Sequence, residues 1–215
     1  MMNKISLYLC IIMIVLMMPG NYGCITPVAQ HMNRGTDAFG EKDYDTAILE
    51  YTEVLKLDPD NDGSLHFRGW AYYEIGEYEK AIEDLSEAIK IDSKSYSGYR
   101  ARGLAYTKSG IYDLAIKDFN NALELWPGNS IYIVERGLAY YYNKQYDRAL
   151  EDMNEAIRTE PKEAVFYRYR ADLYIATGET SRAITDLRKT IELASDDTEL
   201  IQSAKERLKS LGITE

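Results

Sequence analysis

The chain has 215 residues, 46% of them apolar and 28% charged, a balance that supports a sizeable buried core and reads as globular rather than disordered. Its formal net charge of −10 opposes phosphate backbones and anionic headgroups, so nucleic acid is not an expected partner. Two cysteines and two histidines leave little from which to build a disulfide framework or a metal centre.

Residues 1–4 carry one positive charge, residues 5–18 are an apolar run, and Pro19, Gly20 and Asn21 break it. The run is shorter than the roughly 20 residues a helix needs to cross a bilayer, so residues 1–23 read as a secretory signal rather than an anchor. The stretch "NYGC" resembles the cleavage box of bacterial lipoprotein precursors, in which a small residue precedes a cysteine that is acylated and becomes the new N-terminus. Gly23 and Cys24 match that box, while Asn21 stands where leucine is usual. The resemblance implies lipidation of Cys24 and an exported protein held to a membrane of the cell envelope, with residues 24–27 as a short tether. An ordinary signal cut near Gly23, releasing a soluble exported or periplasmic protein, is the alternative. Cleavage there removes Cys10 and Lys4, leaving a single cysteine and 24 basic against 35 acidic side chains.

From residue 33 onward the sequence repeats. "NRGTDAFGEKDYDTAILEY", "FRGWAYYEIGEYEKAIEDL", "ARGLAYTKSGIYDLAIKDF", "ERGLAYYYNKQYDRALEDM" and "YRADLYIATGETSRAITDL" begin 34 residues apart. Gly35, Gly69, Gly103, Gly137 and Ala171 recur in step, as do Ala47, Ala81, Ala115, Ala149 and Ala183. In the third copy Tyr99, Gly103 and Tyr106 share one face of a first helix, and Ala115, Phe119 and Ala122 share one face of a second. Pro59, Pro127 and Pro161 mark joints between copies, and glycines at 40, 76, 110 and 178 mark turns within them. This pattern resembles the tetratricopeptide repeat (TPR), a helix-turn-helix unit. It implies an all-α, right-handed superhelical solenoid of five units spanning 28–61, 62–95, 96–129, 130–163 and 164–197. Residues 198–215 follow as a capping helix and tail, with Leu200 or Ile201, Ala204, Leu208 and Leu211 on one face.

The joint "LDPDNDG" matches the first half of a calcium loop, but Gly69 occupies the twelfth place, where a bidentate carboxylate is needed. The other joints carry no such cluster, so the stretch reads as an inter-repeat turn with N-capping side chains. Sixteen residues after each repeated arginine comes an acid: Arg34 and Glu50, Arg68 and Asp84, Arg102 and Asp118, Arg136 and Asp152, Arg170 and Asp186. In an antiparallel hairpin the two lie at nearly equal distances from the turn and should pair across it as structural ion pairs.

No metal-ligand spacing joins His31 to His66, and no nucleophile elbow, phosphate loop or C-x-x-C is present. No enzyme chemistry, metal or cofactor is expected. The resemblance implies that first helices line a concave surface for a protein or peptide partner. Carried onto this chain it points to Phe39, His66, Trp70, Tyr73, Arg100, Leu104, Lys108, Val134, Leu138, Tyr141, Tyr142 and Arg168. The family's carboxylate clamp is missing, because Met32, Thr36, Phe67, Ser97 and Ala101 stand at its places. A scaffold or adaptor in the cell envelope is the expected function; a self-assembling structural protein or a peptidoglycan-associated binder is the alternative.

Overall fold

A computed structural model of the chain describes residues 26–213; the signal reading of residues 1–23 and the lipidation reading of Cys24 lie outside the described residues. Described are eleven helices: α1 (Pro27–Gly40), α2 (Tyr44–Leu57), α3 (Asp62–Glu74), α4 (Tyr78–Ile91), α5 (Tyr96–Lys108), α6 (Tyr112–Leu125), α7 (Ser130–Tyr142), α8 (Tyr146–Thr159), α9 (Ala164–Ala176), α10 (Thr180–Leu193) and α11 (Thr198–Ser210). Each helix packs on the next, and the first helices α1, α3, α5, α7 and α9 also touch one another in series, so five antiparallel hairpins stack into an all-α solenoid. No described helix is long and apolar enough to cross a membrane.

Short side chains start the helices. Asn61, Ser95 and Asn129, spaced 34 residues apart, accept the backbone N–H of Ser64, Gly98 and Tyr132 at 2.9, 3.1 and 3.1 Å. In the "LDPDN" joint Asn61 Nδ2 also donates to Asp58 Oδ2 at 2.9 Å, so this turn uses its polar groups to join two helices.

The repeated glycine is a packing device. A Cβ on Gly69 would stand 2.7 Å from Leu85 Cγ, and one on Gly35 would stand 2.8 Å from the Tyr51 ring. The residue that fills each gap lies sixteen positions on: Tyr51, Leu85, Phe119, Met153 and Leu187, all fully buried. Burying one such side chain contributes about 1.5 to 3 kcal/mol. Beyond α10, Ala204 and Leu208 of α11 cover Leu187 and Ala171, closing the last apolar face.

Four of the five anticipated ion pairs form, each as a fork from Nε and Nη2 onto one carboxylate. In Arg102–Asp118 the two bonds are 2.7 and 2.9 Å, and Asp118 is only 2% exposed. The remaining guanidinium nitrogen extends the pair to the preceding repeat. Arg68, Arg102, Arg136 and Arg170 donate from Nη1 to Thr52, Ser86, Asn120 and Asn154 respectively, again sixteen residues away. The expected pair between Arg34 and Glu50 is corrected by the structure: Arg34 is exposed, and Glu50 instead accepts from His31 Nδ1 at 2.6 Å. Among the described residues no earlier hairpin stands beside α1 to receive Arg34, and the longer glutamate reaches the neighbouring turn of that helix.

The turns also differ in part from expectation. Gly76, Gly110 and Gly178 take φ of +83°, +75° and +81°, but the equivalent residues of the first and fourth hairpins are Lys42 (φ 62°) and Lys144 (φ 61°); Gly40 lies inside α1. A lysine in this left-handed region is disfavoured by about 1 to 2 kcal/mol, offset partly by the entropy that glycine loses on folding.

Urea denaturation tests both features. Lys144→Gly should raise stability by about 1 kcal/mol, seen as a higher midpoint at unchanged slope. Arg102→Ala should lower it by about 3 to 5 kcal/mol, because the Asp118 carboxylate is left buried without its partner, whereas Arg34→Ala should leave the midpoint where it is.

Candidate functional site

The stacked first helices enclose a groove of about 890 Å³ between α5, α7 and α9, with contributions from α3, α6, α8 and α11. Eight of the twelve sequence-derived groove residues line it: Tyr73, Leu104, Lys108, Val134, Leu138, Tyr141, Tyr142 and Arg168. Helical spacing puts them there. Val134, Leu138 and Tyr141 of α7 follow at intervals of four and three on one face, and Leu104 and Lys108 are four apart on one face of α5. Val134 is 5% exposed and forms part of the floor, while Tyr142 is 52% exposed and stands at the rim. Tyr112 stacks on Tyr142 with ring centroids 5.9 Å apart, and Tyr141 meets Tyr142 edge to face at 5.3 Å, so the rings hold one another in place.

The remaining four lie outside this cavity. Phe39 packs edge-on against Tyr44 and Phe67, sealing the first hairpin against the second. His66 stands against the Phe67 ring at 5.6 Å, and burial pushes its imidazole below the ordinary value. Trp70 meets Tyr73 edge to face at 5.3 Å. Arg100 lies 5.6 Å from both Trp70 and Tyr132 and is spent on Glu135, donating from Nε at 2.8 Å and from Nη2 at 2.6 Å.

Sequence reasoning missed three charged residues of the groove wall: Glu135, Asp172 and Arg207. Burial pushes the Glu135 carboxyl up against the pull of Arg100. Asp172 joins α9 to the capping helix through Arg207, and Arg207 Nη1 is itself held by the Ser203 hydroxyl at 2.6 Å. A signal for them existed. Arg100 and Glu135 are 35 residues apart, as are Asp172 and Arg207, a step that carries a side chain from one first helix to the matching turn of the next.

The wall is thus a mixture of aromatic rings, aliphatic side chains and a few oriented charges, without a cluster of three or more metal-ligating side chains among the described residues. Such a wall can hold an apolar segment of a macromolecule and fix its direction by charge.

Comparison with known proteins agrees with this architecture. Family models described as TPR repeat, tetratricopeptide repeat and tetratricopeptide repeat match residues 69–110, 96–129 and 134–198 respectively. No curated protein matches the chain. A crystal structure of MamA superposes with a TM-score of 0.70 at 27% identity, covering 77% of this chain and 96% of that one. TTC0263, a thermophilic TPR protein of Thermus thermophilus, gives 0.68 at 20% identity over 84% of this chain and 98% of its own. YrrB, described as a TPR protein with an unusual peptide-binding site, gives 0.67 at 19% identity over 82% and 90%. The period, the stacked hairpins and these matches together place the chain in the tetratricopeptide repeat family.

Proposed function

We propose that the protein is a non-catalytic adaptor of the cell envelope that holds a segment of a partner protein in the groove between α5, α7 and α9. The observation that carries this reading is the groove itself: about 890 Å³ walled by Leu104, Leu138, Tyr141 and Tyr142, with part-exposed aromatic surface of the kind that anchors partners. The unusual peptide-binding site for which YrrB is described supports a binding role for the same fold. Placement in the envelope rests on the lipoprotein-like box at Gly23 and Cys24, which supports a membrane tether by lipid. A structural protein that assembles with itself through the same rings is the second reading, favoured by the exposed hydrophobics Ile131, in the groove wall on α7, and Trp126, just after α6.

A photo-crosslinking residue in place of Tyr142 should capture a partner protein in cells, whereas the same residue in place of Leu49, 66% exposed on α2, should not. Equal capture at both positions, or a product consisting only of two copies of this chain, would sink the adaptor reading. Cys24→Ala should move the protein from the membrane pellet to the supernatant; unchanged sedimentation would remove the lipid tether.

A further inference from the structure

The groove has a charge as well as a shape. Asp172 serves two guanidiniums: Arg168 Nη1 donates to its Oδ2 at 2.8 Å, and Arg207 donates from Nε to Oδ1 and from Nη2 to Oδ2 at 3.2 Å. One carboxylate cannot neutralise two cations. A positive charge is left over at a place where the Arg168 and Arg207 side chains are 16% and 31% exposed, so water screens it incompletely. Lys108, across the groove on α5, has no acidic partner among the described residues. The remaining acid of the wall, Glu135, is already matched by Arg100. Helix α7, which carries Val134, Leu138 and Tyr141, stands between α5 and α9 and so between the two uncompensated cations. A chain of net charge −10 has reversed its sign along this concave wall.

We propose that the groove takes a peptide segment of a partner protein in which apolar or aromatic anchors lie between carboxylates, one seated on the Arg168–Arg207 pair and another near Lys108. This rests on the groove-adaptor reading and adds the chemistry of the partner. A carboxylate at Arg168 supplies the charge that Asp172 alone does not, and a guanidinium donates to it in a fork. A basic segment meets two unneutralised cations, and a neutral one leaves the Arg168–Arg207 pair without a second counterion in a partly desolvated part of the wall.

The test uses the full-length chain and three pools of short labelled peptides that share Leu, Phe and Tyr at fixed places. The pools differ only in carrying Asp/Glu, Asn/Gln or Lys/Arg at the others, and fluorescence anisotropy reports binding. The acidic pool should bind about tenfold or more tightly than the neutral pool, and salt should narrow the gap. Arg168→Gln and Lys108→Gln should each weaken the acidic pool by about tenfold and leave the neutral pool unchanged. Asp172 keeps Arg207 in the Arg168→Gln protein, so an unchanged thermal midpoint is expected and separates lost binding from lost fold. Neutral or basic peptides that bind as tightly as acidic ones, and that Leu138→Ser weakens, would overturn the charge assignment while leaving the groove reading in place. Absence of binding by every pool, binding indifferent to Leu138→Ser, or a homodimer that the acidic pool cannot displace would overturn both.

Discussion

Everything in this solenoid depends on how closely the two helices of a hairpin approach. At Gly35, Gly69, Gly103 and Gly137 the first helix offers bare backbone, and a fully buried side chain of the second helix rests on it. Tyrosine, leucine, phenylalanine and methionine each do this at the same register. What is fixed is therefore the gap and not the filler: a core tolerates changes of side-chain shape where volume and pattern are kept. The last hairpin keeps the register with Ala171 and Leu187 and adds the cap formed by Ala204 and Leu208.

Close approach sets the helix axes, and the arginine forks then set the stacking of one hairpin on the next. Each of Arg68, Arg102, Arg136 and Arg170 binds a carboxylate of its own hairpin and a hydroxyl or amide of the one before. A buried ion pair of this kind adds little net stability against an apolar alternative, because desolvation offsets much of the attraction. Its geometry is directional where apolar contact is not. Five N–H donors in a fixed plane make one arginine a gauge for three helices.

With axes and stacking fixed, the inner surfaces of α5, α7 and α9 form a groove whose floor, with Val134, Met153 and Leu173, belongs to the core. The side chains above that floor are not held to the packing rule that governs Tyr51, Phe119 or Met153, and they diverge in character. Helix α5 brings Lys108, α7 brings Leu138 and Tyr141, and α9 brings Arg168 and Asp172. Variation between repeats, which weakens a solenoid when it falls in the core, here gives the groove its apolar centre and its charged flanks.

The sequence by itself determined the repeat, its period, the partners across each hairpin from Arg68 to Asp186, and eight residues of the groove wall, because each follows from spacing along a helix of known pitch. It pointed to Gly40 as a turn, and the left-handed residue is Lys42, since a turn's place depends on where the preceding helix runs out. Only the tertiary structure decided which charges face one another between repeats. Arg100 going to Glu135, and Arg168 sharing Asp172 with Arg207 of the capping helix, both depend on the rise and twist from one hairpin to the helix that follows it. Those angles come from the packing of whole helices, and the 34-residue period does not encode them.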